Sequence, residues 1–182
     1  MAKPTRALAR GITAMFVLLL ARGLDGSQDR ELDAPRASTG ARVRTQDLDL
    51  SALIRQATDR SPTFRGIVDA IQASDGIVYV QRDRCRHSRR SCLALWMGFA
   101  GPYRVLRLNV AGGKNDIETM ASIAHELRHA LEVLSEPGVR SSAGMYHLYS
   151  RSHAWRGEAF ETRAAIDTGD TVYKELKRSL RR

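Results

Sequence analysis

The feature that most constrains this sequence is residues 117–137, IETMASIAHELRHALEVLSEP, where a long apolar period carries two histidines. Apolar residues recur there at alternating spacings of three and four, which is the period of an amphipathic helix. Asn115 is a good N-cap, and Glu118 follows three residues later as a capping-box partner. The sequence EPG ends the pattern. We therefore predict a central helix that carries both histidines.

The two histidines, His125 and His129, are one helical turn apart, and Glu126 directly follows the first. Side chains four residues apart lie on the same face of a helix, so both imidazoles can point to one ion. Zinc uses such a pair as two of the three protein ligands of a catalytic site, and the neighbouring glutamate takes a proton from the attacking water. We predict these roles here; a core helix that carries HExxH by chance is the alternative.

A catalytic zinc site needs a third protein ligand, since two histidines alone make a weak site. The pattern HExxHxxGxxH is excluded, because Glu132 stands at the glycine position and Ser135 at the position of the third histidine. Spacing alone leaves open which downstream residue completes the site. The candidates are Glu158 and Glu161, three residues apart on a predicted C-terminal helix, and His147 and His153.

Two motifs, HELRHALEV and FETRAA, together resemble the glutamate-zincins and are similar to small bacterial proteins that carry HEL-x-HALEV and FET-x-AA. The resemblance extends over about residues 74–176. It implies a zincin-like fold, in which the HExxH helix faces a C-terminal helix that carries the third ligand. It also implies zinc-dependent peptide hydrolysis, with His125, His129 and Glu161 as zinc ligands and Glu126 as general base.

The remaining patterns predict an α+β domain over residues 46–182. Ser61 followed by Pro62 begins a helix whose apolar residues have a helical period. Apolar segments predict the strands of a small antiparallel sheet packed on the central helix: 77–81, 93–99 and 103–110. The third strand comes just before the HExxH helix, and we expect it to pair with an extended substrate by β-augmentation.

The N-terminal residues 1–23 have basic residues before a short apolar run and small residues after it, which is typical of a secretory signal peptide. The apolar run is shorter than the ~20 residues of a membrane span, although an uncleaved N-terminal membrane anchor is the alternative. Residues 24–45 are rich in Gly, Ser, Pro and charge and predict a disordered linker. We therefore expect export to the periplasm or the medium.

The chain has two cysteines, Cys85 and Cys92, between the first two predicted strands. In an oxidising compartment such a pair forms a lasting disulfide, which here would close the loop of a hairpin. A metal site formed with His87 is the alternative. The spacing is wider than the two to four residues of most zinc-finger pairs, so we predict the disulfide.

Softer candidates surround the predicted site. Glu132 lies two turns after His125 and is either the acceptor for the second N–H of a ligand histidine or a surface carboxylate. An oxyanion donor can come from the segment between the two motifs, which contains Tyr146, His147, Tyr149 and His153.

These features predict an exported zinc-dependent hydrolase, a metallopeptidase that acts on a peptide or protein substrate. The alternative is a non-catalytic exported binding module with a structural metal and a basic surface formed by segment 82–90 and the C-terminal KELKRSLRR. The formal net charge of +9 suggests an interaction with nucleic acid, but the predicted export argues against such a partner.

Overall fold

The structure is a computed structural model that describes residues 40–85, 91–112, 115–151, 155–156 and 159–181; of residues 155, 156 and 159 it describes the backbone alone. The predicted signal peptide and residues 24–39 of the predicted linker lie outside these ranges. In chain order the elements are β1 (Val43–Arg44), α1 (Leu48–Arg60), α2 (Pro62–Ala73), β2 (Gly76–Arg82), β3 (Ser91–Ala100), β4 (Tyr103–Val110), α3 (Asp116–Leu134), α4 (Ser142–Arg151), β5 (Trp155–Arg156), β6 (Ala159–Phe160) and α5 (Arg163–Ser179).

The predicted α+β class is confirmed, but the sheet is not an antiparallel one. Its strand order is β1-β2-β4-β3, with β1, β2 and β4 parallel and only β3 antiparallel to its neighbour β4. Strands close in sequence usually pair, which is why the pattern predicted β2 beside β3. In the fold β4 lies between β2 and β3, and its Leu106, Leu108 and Val110 alternate as fully buried side chains on one face.

This strand order changes two further predictions. Both edges of β4 are occupied by β2 and β3, so β4 cannot pair with an extended substrate as predicted; β3 is the edge strand on that side. The disulfide between Cys85 and Cys92 is confirmed, with 5.9 Å between the two Cα atoms. It does not close a hairpin, because β4 lies between β2 and β3. It joins the chain that leaves β2 to the first residues of β3.

The predicted helix starts are observed. The hydroxyl of Ser61 accepts the Phe64 N–H at 3.0 Å at the start of α2, where Pro62 is the first helical residue. The Asn115 side chain accepts the Glu118 N–H at 3.0 Å at the start of α3. Each of these caps satisfies a backbone donor that the helix itself leaves unpaired.

Helix α3 is the centre of the domain. Its apolar residues pack against one face of the sheet, and α5 packs along another side of α3. The two helices approach closely at Gly169, where an added Cβ would lie 3.3 Å from the Cβ of His125. The close contact of the two helices therefore depends on the absence of a side chain at this glycine, next to the HExxH motif.

The C-terminal end of α3 is held by one buried arginine, Arg104, which is 1% exposed. Its Nε and Nη2 donate to the carboxylate of Asp75 at distances between 2.7 and 3.1 Å. Its Nη1 and Nη2 also donate to backbone carbonyls at the end of the helix and in the following turn: Val133, Leu134, Glu136 and Val139. The guanidinium thus satisfies the last carbonyls of α3 and its positive charge faces the negative end of the helix dipole.

No helix in the described part of the chain is both long and apolar enough to cross a membrane.

Candidate metal centre

Three of the predicted site residues lie together at the contact between α3 and the start of α5. His125 and His129 project from α3 with their ring centroids 4.9 Å apart, and Glu161 approaches them from the segment that precedes α5. The Nε2 of His125 lies 3.1 Å from Oε2 of Glu161. One ligand atom from each of the three residues lies within 4.8 Å of the other two, so the group could hold a metal ion.

The hydrogen bonding of His129 leaves one nitrogen of its ring available to such an ion. Its Nδ1 lies 3.1 Å from Oε2 of Glu132, while its Nε2 is buried and has no hydrogen-bond partner among the described atoms. An ionised carboxylate only accepts hydrogen bonds, so Nδ1 carries the proton and the lone pair of a neutral ring is at Nε2. A buried nitrogen without a partner costs about 1–3 kcal/mol, a cost that a metal ion bonded to Nε2 would remove. The residues present therefore fit a metal ion.

The carboxylate of Glu132 connects His129 to the start of α5. Its Oε1 accepts the hydroxyl of Thr162 at 2.7 Å, and the same hydroxyl oxygen accepts the Ala165 N–H at 3.1 Å as the N-cap of α5. Burial alone would raise the pKa of Glu132, but the hydrogen bonds from His129 and Thr162 outweigh it and hold the pKa below its ordinary value. Of the two alternatives that the sequence left for Glu132, the structure shows the acceptor for a histidine N–H.

The spacing of Glu158 and Glu161 predicted that Glu161 lies on the C-terminal helix, but in the structure it does not. Helix α5 begins at Arg163, and Thr162 is its N-cap with an extended backbone, so Glu161 precedes the helix. The sequence did contain the signal, since threonine before Arg-Ala-Ala-Ile is a good N-cap. Phe160 of the same motif stacks on Tyr149 at 4.9 Å between ring centroids. Three consecutive residues of the motif thus have separate roles: Phe160 packs on Tyr149, Glu161 is a candidate ligand, and Thr162 caps α5.

The other candidate ligands are only partly covered by the structure. Glu158 and His153 lie outside the described residues, as does His87 of the alternative cysteine site. His147 is described; it is exposed on α4 and does not belong to the group that could hold a metal.

The predicted general base, Glu126, is 6% exposed and is held by the edge strand β3. Its Oε1 accepts the hydroxyl of Ser91 at 3.0 Å, and its Oε2 accepts the backbone N–H of Leu93 at 2.8 Å. A carboxylate oxygen has two lone pairs, so each oxygen keeps one lone pair beyond these bonds. Neither donor was predictable from a local sequence pattern, because both come from a strand that is distant in sequence.

Negative charge surrounds the two histidines. Burial lowers the pKa of His125, but its hydrogen bond to the carboxylate of Glu161 and the nearby carboxylates of Glu126 and Glu132 outweigh burial and raise the pKa above its ordinary value. Carboxylates that raise a histidine pKa also attract a divalent cation to the same place. The electrostatics of the site thus favour a cation between the imidazoles.

Tyr149, one of the candidate oxyanion donors, has a different role. It is 3% exposed, and its hydroxyl donates to the backbone carbonyl of His129 at 2.9 Å. Burial, together with the carboxylates of Glu132 and Glu126, raises the pKa of its hydroxyl. Tyr149 therefore packs against the turn that carries His129 and keeps its proton. Tyr146, another candidate, is 46% exposed and meets Phe160 edge-on at 5.9 Å.

No protein-family model, no curated protein and no solved structure matches this chain. Its function is therefore inferred from the residues and from the geometry of the site.

Proposed function

We propose that this protein is an exported zinc-dependent hydrolase, a metallopeptidase of the glutamate-zincin type. One observation carries the proposal: His125, His129 and Glu161 offer ligand atoms within 4.8 Å of one another, and the Nε2 of His129 is buried with no described partner. The residues of one motif on α3 and of a second motif before α5 converge at this point. The likeness to glutamate-zincins, which rests on the same two motifs, agrees with this arrangement.

The donor set supports zinc. Two imidazole nitrogens and one carboxylate oxygen form a common set of protein ligands in catalytic zinc sites, and they leave a fourth position for water or substrate. Bound there, zinc would supply Lewis acidity toward water and toward the carbonyl of the scissile bond. Glu132 supports the site from behind, because a carboxylate on the second nitrogen of a ligand histidine fixes its tautomer and increases its basicity.

Glu126 is the group that we propose as general base. It follows a candidate ligand, His125, directly on α3, and its charge contributes to the raised pKa of that histidine, so it lies close to one of the three candidate ligands. The donors Ser91 and Leu93 keep the carboxylate in one orientation. As general base, Glu126 takes a proton from the attacking water and returns it to the leaving amine.

The substrate in this proposal is an extended peptide that pairs with β3. Strand β3 is the edge strand next to the candidate centre, and its residues Ser91 and Leu93 already contact Glu126. An edge strand presents backbone donors and acceptors to an added strand, which would align a peptide bond beside α3.

The exported protein, purified with its disulfide intact, tests the proposal directly. We expect one zinc ion per chain by elemental analysis, hydrolysis of a mixed peptide library, loss of hydrolysis with a chelator, and recovery on addition of zinc. Absence of a bound metal, or hydrolysis that persists after verified removal of the metal, would contradict the proposed function. Magnesium added to the metal-free protein is the control, since it prefers oxygen ligands.

A non-catalytic exported binding module is the second candidate, and a specific surface favours it. On the face of the sheet away from α3, cationic and aromatic residues alternate across all the strands, in the order Arg44, Tyr79, Arg107 and Trp96. A cavity of about 560 Å³ opens there, and none of the three candidate ligands lines it. Coordination separates the two functions: a fourth position held by water favours the enzyme, and a closed shell of four protein ligands favours the module.

A further inference from the structure

The two donors to Glu126 lie on either side of a disulfide-bonded cysteine. Ser91 Oγ is 3.0 Å from Oε1 of Glu126, and the Leu93 nitrogen is 2.8 Å from Oε2. Cys92, the residue between them, is bonded to Cys85. Any movement of Cys92 relative to α3 would therefore shift both hydrogen bonds at once.

Among the described residues, backbone pairing holds this segment, residues 91–93, to one strand only, and Leu93 also packs against the hydrophobic core. The segment pairs with β4 through Ser91 to Val110, Cys92 to Asn109 and Leu93 to Leu108, and the register then shifts before pairing resumes at Met97. The segment thus has its own short ladder at the end of an edge strand, with a neighbour on one side only. Short peripheral ladders of this kind open locally at a small cost in free energy.

The disulfide supplies the missing attachment. Cys85 follows β2, and β2 is paired on both sides, by β1 and β4. The bond thus ties residues 91–93 to the interior of the sheet, past the strand that lies between. Both cysteines are partly exposed, so thiol reagents can reach them.

We propose that the bond between Cys85 and Cys92 is a redox gate on Glu126, which rests on the proposed role of Glu126 as general base. With the bond closed, Ser91 and Leu93 hold the carboxylate in its working orientation. With the thiols reduced, residues 91–93 leave the edge of the sheet and Glu126 loses both donors. The candidate metal ligands lie on α3 and before α5, outside the segment, so metal binding continues.

The bond between Cys85 and Cys92 forms by thiol–disulfide exchange. The thiolate of one cysteine attacks the disulfide of an oxidised dithiol compound to give a mixed disulfide and one free thiol of the oxidant, and the second cysteine then attacks the mixed disulfide and releases the oxidant as a dithiol. A new bond forms between Cys85 and Cys92, the disulfide of the oxidant becomes two thiols, and two electrons and two protons pass to the oxidant. Such oxidants belong to compartments outside the cytosol. Hydrolysis is therefore switched on after export.

The test compares the oxidised protein with its reduced form and with the double variant Cys85→Ser/Cys92→Ser. We expect equal zinc stoichiometry in all three, a kcat lower by about 10-fold to 100-fold without the bond, and a KM changed much less. Amide hydrogen exchange at Leu93 should be at least about 10-fold faster without the bond. Reductant should have no effect on the double variant, which controls for reduction elsewhere.

A single variant keeps the test independent of the folding of the double variant. Ser91→Ala removes one donor to Glu126 and should lower kcat by about 10-fold or more with zinc binding unchanged, while Ser91→Thr keeps a hydroxyl and should restore most of the rate. Ser150→Ala, at an exposed position of α4, is the matched control.

The outcomes separate this inference from the proposed function. Equal hydrolysis by oxidised and reduced protein, or equal exchange at Leu93 in both, would overturn the gate and leave the metallopeptidase intact. An oxidised, zinc-loaded protein that hydrolyses no peptide would overturn the proposed function together with the gate on catalysis. In that case the exchange rates still decide whether the disulfide holds Leu93 on Glu126.

Discussion

Two buried polar clusters contact helix α3, and they differ in whether their polar side-chain atoms all have hydrogen-bond partners. At its C-terminal end, each guanidinium nitrogen of Arg104 donates to Asp75 or to backbone carbonyls, and the side chain is 1% exposed. Closer to the middle of the helix, His129 is 4% exposed, and its Nε2 has no hydrogen-bond partner among the described atoms. Burial is thus nearly equal, but only the arginine cluster is complete.

The difference teaches what each cluster is for. A buried polar network in which every donor and acceptor is paired stabilises one conformation and needs no further partner. A buried nitrogen without a partner costs free energy, and such a cost is typical of sites that acquire a ligand. We therefore expect changes in the arginine cluster to affect the stability of the fold, and changes around His129 to affect metal binding and hydrolysis.

The largest expected effect is on hydrolysis. Glu126→Gln keeps the shape of the side chain but removes its ability to take a proton, so kcat should fall by about 10²-fold to 10⁴-fold. The variant should still bind zinc, because Glu126 is not one of the candidate ligands. Peptide hydrolysis measured beside metal content checks this, and full activity in the variant would remove Glu126 from the mechanism.

The second effect is on folding. Arg104→Met leaves four carbonyls and Asp75 without their donor, and the free energy of unfolding should fall by about 3–5 kcal/mol. Arg107→Met, on the same strand, is the control; it replaces an exposed arginine that stacks on Trp96 and should cost only about 1 kcal/mol. Urea unfolding monitored by circular dichroism measures both. Equal losses would show that the arginine cluster contributes no special stability.

The third effect is on metal affinity. Glu161→Ala removes a candidate ligand and should lower zinc affinity by more than the 10-fold to 100-fold that is typical of residues behind the ligands. Glu158→Ala should change the affinity far less. Competition with a chromophoric chelator measures both dissociation constants. A larger loss for Glu158→Ala would show that the third ligand was assigned to the wrong residue.

A smaller effect is expected behind the ligands. Thr162→Val removes the hydroxyl that Glu132 accepts and the N-cap of α5, so zinc affinity should fall by about 10-fold and stability by about 1 kcal/mol. Thr171→Val, at an exposed position where the hydroxyl bonds a carbonyl of α5, should leave zinc affinity unchanged. The same chelator titration measures the zinc affinity of both variants. Equal zinc affinity of Thr162→Val and the unsubstituted protein would show that Thr162 does not affect the candidate metal centre.

The smallest effect concerns acid stability. The hydrogen bonds from Arg104 lower the pKa of Asp75 in the folded protein below its ordinary value of 3.8, although burial opposes this. The ion pair therefore contributes stability above about pH 4 and loses it as the pH falls through the lower folded pKa. Because the Asp75 side chain is 40% exposed, we expect a contribution below about 1 kcal/mol. Unfolding free energies at neutral pH and at pH 3 should differ less in Asp75→Asn than in the unsubstituted protein; an equal difference would contradict this.

Local signals were enough to predict where α2 and α3 begin. The caps at Ser61 and Asn115 and the apolar period of α3 act within about one turn, and the same short range places His125 beside His129. The cysteine pair was also predictable, because the two residues are only 7 positions apart. The start of α5 at Thr162 was within reach of the same local rules but was missed, which placed Glu161 on the helix.

Tertiary packing decided the rest. The sequence determined α3, its two histidines and the identity of the residues that can bind metal, because those properties depend on neighbours within a few positions. Strand order depends on packing across the whole sheet, which placed β4 between β2 and β3 although β2 and β3 are consecutive in the chain. The donors to Glu126 come from residues 33 and 35 positions away, and Thr162 reaches Glu132 across 30 positions. Contacts between such distant residues form only when the whole domain packs, so no local pattern could have specified them.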